Sequence, residues 1–156
     1  MVGRVIFMTP EGLKKLEEEL EYLSTVKRYE VARQIHEAMD EGDEADDNVA
    51  YEVAKNEQAF LEGRIREIEE KLARSRLVEM TGPADVAQIG STVVLRDELG
   101  KEETFRIVGP TEANPRAGLI SYESPTGTAL LNQKAGDEIQ VNAPGGIFRY
   151  KLLSVG

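Results

Sequence analysis

The sequence predicts an α+β protein: an N-terminal antiparallel α-helical coiled-coil hairpin followed by a C-terminal β-rich domain. Three observations carry this expectation. Two long stretches repeat apolar residues every three or four positions. An acidic knot separates them, since six of the eight residues from Asp40 to Asp47 are carboxylates. After Arg76 the helical period stops, and short β-like runs alternate with turns containing Gly or Pro.

The elements follow in order. Thr9-Pro10 reads as a helix start, because Thr can cap and Pro at the first helical position forfeits no hydrogen bond. Leu13, Leu16, Leu20 and Leu23 then repeat at 3,4,3 spacing, a heptad seam. Val26, Val31, Ile35 and Met39 extend the apolar stripe, with a break in register near Lys27–Glu30. The second stretch places Val53 on its stripe and continues through Leu61, Ile65, Ile68 and Leu72. Neither stretch holds an internal proline, and Gly63 is the only interior glycine of the second. From Pro10 to Met39 the stalk reaches about 45 Å at 1.5 Å per residue.

Met80-Thr81-Gly82-Pro83-Ala84 reads as a linker, dividing the chain into a hairpin of residues 1–79 and a domain of residues 80–156. Strands are expected at Thr92–Arg96, Thr104–Val108, Gly118–Tyr122, Glu138–Val141 and Ile147–Leu153, with a short helix over Thr126–Asn132. Leu99-Gly100 and Pro144-Gly145-Gly146 supply turns. Ser124 before Pro125 suits a helix start.

Composition narrows the function. The 156 residues contain no cysteine, which excludes disulfides and thiolate-bound metal. No apolar run approaches the roughly 20 residues of a membrane span, so a soluble, cytoplasmic protein without a membrane partner is expected. The net charge of −10 is concentrated in residues 1–80, where 12 basic and 20 acidic side chains leave −8. Such a field opposes nucleic-acid binding through the bulk of the protein and favours a protein or a metal ion as partner. The hairpin seam can be satisfied within one chain, which makes a monomer the expectation.

The single histidine, His36, reads as a partly exposed helix residue, and no nucleophile–base pair or Gly-rich phosphate loop is present. The acidic knot does not fit an EF-hand. Counting from Asp43, positions three and twelve are Ala45 and Ala54; counting from Asp46, position six is Tyr51 where glycine is required. Asp46, Asp47 and Asn48 suit the start of a second helix. Asp40, Glu41 and Asp43 crowd the C-terminal end of the first, where the helix dipole disfavours negative charge. Two readings stand at this point: a solvated turn, or a cluster that shares a metal with another protein and orients water for phosphodiester hydrolysis.

Family-like motifs run nearly end to end. They include Met8-Thr9-Pro10-Glu11-Gly12-Leu13 with Glu17-Glu18-Glu19-Leu20, then Gly42-Asp43 followed by Asn48 and Tyr51, then Glu57-Gln58-Ala59-Phe60-Leu61-Glu62-Gly63-Arg64-Ile65. Arg106-Ile107-Val108-Gly109, Ile120-Ser121-Tyr122-Glu123-Ser124-Pro125, Ala129-Leu130-Leu131 and Pro144-Gly145-Gly146 complete the set. On these motifs the chain resembles the Gre family of bacterial transcript cleavage and elongation factors.

The resemblance implies an FKBP-like C-terminal domain, without prolyl isomerase activity, that docks on RNA polymerase at the rim of its secondary channel, with Ser124 and Pro125 in the docking segment. It implies that the hairpin enters the channel, where tip acids help hold a Mg²⁺ shared with the polymerase and activate water against backtracked RNA. The polymerase supplies the catalytic centre, so the chain is not an autonomous enzyme. Asp43 matches the first tip acid. The second is Asp46, which keeps the spacing of the family's acid-x-x-Glu-Asn tip, or Asp47, which keeps the neighbouring Asn48. Glu41 and Glu44 are additional tip acids, and Lys55 stands where the family carries a basic residue near the RNA 3′ end. Tyr51 packs under the tip or approaches the RNA. Either second aspartate is shorter than glutamate by one methylene, roughly 1.3 Å of reach. The run Asp43-Glu44-Ala45-Asp46-Asp47 also resembles the four-aspartate tips of Gre paralogues that inhibit polymerase. A structural coiled-coil adaptor that never enters the channel is the third reading.

Overall fold

The computed structural model describes residues 4–41 and 49–156. Contacts group the chain into two compact units. One spans Lys14–Arg74, and the other joins the N-terminal segment through Leu13 to Ser75–Gly156. The expected division at residue 79 follows chain order. The contacts depart from it because the first strand and the first helical turn are built into the unit that holds the C-terminal sheet.

The helical unit is formed by α1 (Pro10–Tyr22), α2 (Arg28–Glu41) and α3 (Val49–Arg74). Between α1 and α2 lies a π-helical turn, Leu23–Lys27. There the Arg28 N–H donates to the Leu23 carbonyl, five residues back, and also to that of Thr25. The hydroxyls of Ser24 and Thr25 donate to the carbonyls of Leu20 and Glu21 at 2.7 and 2.6 Å. Such back-bonding competes with the α-helical ladder and supports the wider turn.

This turn explains the register break. Unbroken heptads from Leu13, Leu16, Leu20 and Leu23 would lead to positions 27, 30, 34 and 37. The seam resumes one residue later, on Val31, Ile35 and Ala38. A π turn absorbs one extra residue, which is the shift required. On α3 the seam runs through Ala54, Leu61, Ile65 and Ile68, all buried. Val31, Leu61 and Ile65 form its centre, flanked by Leu20, Leu23 and Ile35. Val26, Met39 and Val53, expected on the stripe, are instead 48%, 58% and 57% exposed. Val53 lies one position off the repeat that Ala54 continues, and Val26 lies inside the π turn.

In the other unit, β1 (Ile6–Met8) pairs in parallel with β2 (Ser75–Leu77), from Ile6↔Ser75 to Met8↔Leu77. Neither strand was expected from the sequence. The five-stranded sheet has the order β5-β4-β3-β7-β6, with β3 Thr92–Asp97, β4 Glu102–Val108, β5 Leu119–Ser121, β6 Glu138–Ala143 and β7 Gly146–Val155. Its pairs are antiparallel except β4–β5. Alternating residues of one face bury Val93, Leu95, Ile107, Ile139, Val141 and Leu152 with Leu130 of α4 (Pro125–Leu130). The expected strands and helix are thus present with small changes of boundary. The β6–β7 turn centres on Pro144-Gly145, and Gly146 takes φ +133°, a conformation open to glycine.

The first turn of α1 is held within this second unit. Thr9 caps it: its hydroxyl accepts from the Gly12 N–H at 3.2 Å, and its carbonyl from the Leu13 N–H at 3.0 Å. The Arg106 guanidinium donates to Glu11 at 3.2 Å. A backbone hydrogen bond at Glu11 itself and then Arg106 hold the Glu11 carboxyl below its ordinary value of 4.5. Among the described residues, no helix is long and apolar enough to cross a membrane.

Two measurements test these assignments. Ile65, 2% exposed at the seam centre, should cost about 2–5 kcal/mol when truncated in Ile65→Ala, read by urea denaturation. Because the folded state lowers the pKa of Glu11, its contribution should be present above pH 4.5 and lost as pH falls through the folded value. Glu11→Gln should therefore flatten the acid limb of a stability–pH profile and lower the plateau above pH 4.5 without changing its slope there.

Candidate functional site at the hairpin tip

The two arms of the hairpin bring the end of α2 and the start of α3 to the same end of the helical unit. The antiparallel register that places Val31 with Leu61 sets Ala38 level with Ala54, and both alanines are buried. In sequence, residues 42–48 connect Glu41 to Val49. Asp43, Glu44, Asp46 and Asp47 belong to that stretch and lie outside the described residues. Glu41 ends α2, and its side chain also lies outside them.

The flanks can be described. His36 and Asp40, one turn apart near the end of α2, lie 3.7 Å from one another and are well exposed. His36 thus occupies the exposed helical position expected of it. Arg33 and Glu37 form a second such pair at 3.6 Å. The last turn of α2 carries no basic residue, so nothing in it offsets the negative end of the helix dipole. On α3, Tyr51 is half-buried and Lys55, four residues on, is exposed on the same face. The Lys55 ammonium donates to Gln58 at 3.0 Å.

No group of three or more potential metal ligands occurs among the described residues. The hard carboxylate donors of residues 43–47 have the oxygen chemistry that Mg²⁺ prefers, and this ion commonly takes only one or two protein carboxylates, keeping other positions for water or phosphate.

Ser124 and Pro125 lie in the other compact unit. Ser124 is the N-cap of α4: its hydroxyl accepts from the Gly127 N–H at 3.0 Å and donates to the Ser121 carbonyl at 2.7 Å. Pro125 occupies the first helical turn and is exposed. The pair therefore builds the corner between β5 and α4 and presents one rigid apolar ring to solvent. An open groove of about 630 Å³ on β3, β6 and β7, lined by Arg96, Arg149 and Lys151, contains none of the residues singled out from the sequence. Concavity does not mark this site. Sequence reasoning also missed Glu112, whose carboxylate accepts from the Thr9 N–H at 3.0 Å. The available signal was Gly12, three residues after a capping Thr, where glutamate commonly completes the cap.

Comparison with known proteins divides the chain in sequence order, near the linker at residues 80–84. Residues 6–77 match the family model described as transcription elongation factor, N-terminal, and residues 82–156 match that described as transcription elongation factor, GreA/GreB, C-term. The chain is 47% identical over 156 residues to transcription elongation factor GreA of Thermoanaerobacter pseudethanolicus, covering 99% of each protein. It is 46% identical over 150 residues to the GreA of Clostridium acetobutylicum, covering 95% of this chain and 94% of the other. Among solved structures, GreA factor homolog 1 of Thermus thermophilus aligns with a TM-score of 0.45 at 31% identity, covering 98% of this chain and 99% of that one.

The Ser124 geometry yields a separable prediction. Ser124→Ala should lose about 1 kcal/mol of stability through the missing cap, measured by thermal or urea denaturation. Pro125→Ala leaves that hydroxyl in place and should change stability less. A larger effect of Pro125→Ala than of Ser124→Ala on polymerase affinity would assign the exposed ring to docking.

Proposed function

Since this chain belongs to the GreA/GreB family of transcription elongation factors, we propose that it enters the secondary channel of RNA polymerase and stimulates hydrolysis of backtracked nascent RNA. The observation that carries the reading is the placement of a six-carboxylate stretch between two helix ends that a packed antiparallel seam holds together. A stalk of this kind would deliver charge to a point, and the match to transcription elongation factors supports a transcription complex as its target.

The division of labour follows from the chemistry. The polymerase supplies the catalytic centre, so the chain is not an enzyme by itself. Asp43 and one of Asp46 and Asp47 contribute carboxylate oxygens to a Mg²⁺ shared with the polymerase. When bound, that ion lowers the pKa of water and offsets charge developing on the scissile phosphate. Glu41 and Glu44 raise the local negative potential that draws a cation to the tip. Lys55 and Tyr51, on one face of α3, lie on the helix that the tip feeds into and are assigned to the RNA 3′ end. Ser124 and Pro125 are assigned to docking at the channel rim. The protein acts as a monomer in the cytoplasm.

The pattern Asp43-Glu44-Ala45-Asp46-Asp47 favours a second reading, inhibition through the same channel. Four acids in five residues can hold a cation without leaving a water correctly placed, and placement errors near 1 Å cost about a hundredfold in rate.

One experiment separates the two. Cleavage is measured in a stalled, backtracked elongation complex with cognate polymerase and Mg²⁺, comparing wild type with Asp43→Ala, Asp46→Ala and Asp47→Ala. The proposal expects faster cleavage with wild type, a loss of about a hundredfold or more in Asp43→Ala, and a similar loss in one of the other two. Slower nucleotide addition without cleavage would assign the inhibitory role. Neither effect, with no polymerase binding, would leave the adaptor reading.

A further inference from the structure

We propose that Glu112 is a positioning residue for the hairpin, supplying from the C-terminal domain the carboxylate that α1 lacks at its own N-terminus. The inference rests on the proposed action in the polymerase channel for its functional part, and on geometry alone for its structural part.

In a capping box, the N-cap Thr bonds the backbone N–H three residues on, and the side chain at that third position reaches back to the N-cap N–H. Here Thr9 makes the first half, accepting from Gly12 at 3.2 Å. The second half cannot come from Gly12, which has no side chain. It comes instead from Glu112, 103 residues away in sequence, whose Oε2 accepts from the Thr9 N–H at 3.0 Å. The other oxygen, Oε1, accepts from the Thr9 hydroxyl in a short contact. Thr9 is only 2% exposed, so this hydrogen bonding meets a demand that water does not supply.

The receiving loop is built for the same contact. Gly109-Pro110-Thr111-Glu112 forms a turn closed by the Glu112 N–H donating to the Gly109 carbonyl at 3.0 Å, with Pro at its second position. The Gly109 N–H also donates to Glu112 Oε2 at 3.0 Å, which fixes the carboxylate. Two glycines make the approach possible. A Cβ at Gly12 would overlap the Glu112 side chain, and a Cβ at Gly109 would overlap the Phe7 carbonyl.

The consequence concerns α1. Its residues through Leu13 belong to the unit with the C-terminal sheet, while those from Lys14 onward belong to the helical unit. A bond to the N-cap therefore holds the root of the helix whose far end leads to the tip. Capping alone could be done locally by a glutamate at position 12. Drawing the carboxylate from the C-terminal domain couples the helix root to that domain as well as capping it.

The test separates the two roles with full-length protein and cognate polymerase. Glu112→Ala removes cap and tie together. Gly12→Glu combined with Glu112→Ala restores a local capping box in the space vacated, and leaves the tie cut. Hydrogen exchange at the Thr9 amide reads the cap; maximal cleavage rate and the factor concentration for half-maximal stimulation read the tie.

Glu112→Ala should lower Thr9 protection about tenfold or more. It should also lower the maximal rate about tenfold, with the half-maximal concentration within about twofold of wild type. The double variant should recover protection and not the rate. Glu112→Gln, which keeps the side-chain volume, should show a smaller loss of the same sign, and it guards against an alanine variant that simply unfolds.

Recovery of the wild-type rate by the double variant would reduce Glu112 to a cap and overturn the proposal. Unchanged protection in Glu112→Ala would overturn the clasp itself. A wild type that slows nucleotide addition instead of stimulating cleavage would overturn the cleavage reading, and the same split would then be read on inhibition. A wild type that does neither overturns the positioning role with the proposed function, while exchange still reports the clasp.

Discussion

The antiparallel seam between the arms of the hairpin is the constraint on which the tip depends. Its buried centre is small, with Val31, Leu61 and Ile65 at its heart and Leu20, Leu23 and Ile35 around them. A one-residue slip of either arm would rotate each side chain about 100° off the seam. Two ion pairs help select the register. Arg28 grips Glu62 through both nitrogens at 2.7–3.2 Å, and Arg64 grips Glu19 at 2.9 and 3.1 Å. These hydrogen bonds, and after them the charge of the neighbouring carboxylates, raise the pKa of both arginines above the ordinary value against the opposing effect of burial. Exposed pairs of this kind add little to stability, because water screens them and holding two long side chains in one geometry costs entropy. Burial of the seam therefore supplies the stability, and the forked contacts discriminate against wrong registers.

Among the described residues, the last turn of α2 has no basic side chain to offset the negative end of its helix dipole. Below it, buried Ala38 and Ala54 add little apolar area near the end of the seam. Stability has to come from further down, at Ile65 and Ile68, both nearly inaccessible to solvent. The seam is therefore anchored by large aliphatic side chains at Ile65 and Ile68 and only lightly filled at Ala38 and Ala54.

Much of this was legible in the sequence, for a definite reason. Heptads, β alternation and Gly–Pro turns are local patterns, and five strands, α4 and both arms were placed from them with small errors of boundary. The break near Lys27–Glu30 was visible as a fault in the period, but its cause, the hydroxyls of Ser24 and Thr25 on carbonyls four residues back, depends on backbone geometry. Val53 misled because a valine looks more like a seam residue than the alanine beside it, and hydrophobicity outweighed phase. The strands β1 and β2 were missed because three residues carry too little alternation to stand out. Of the site, the acidic knot was conspicuous in composition, because six carboxylates within eight residues stand out without any structure.

The pairing of β1 with β2 bears on how the stalk is anchored. Parallel strands cannot be joined by a tight turn and need a crossover of a dozen or more residues, usually helical. Here the whole hairpin is that crossover: it leaves β1 at Met8 and returns to β2 at Ser75. The chain consequently passes between the two compact units twice, after Leu13 and after Arg74. Both passages start from backbone that is already hydrogen-bonded, through Ile6↔Ser75 to Met8↔Leu77 and the Val78 N–H donating to Met8 at 2.8 Å. The N-terminal strand is tied further by Tyr122, whose hydroxyl accepts from the Phe7 N–H at 3.3 Å and whose ring meets Phe7 edge to face at 6.2 Å. The N-terminal strand, the strand that follows α3 and the capped first turn of α1 therefore form one hydrogen-bonded assembly within a single compact unit, with the Glu112 carboxylate drawn in from more than a hundred residues away.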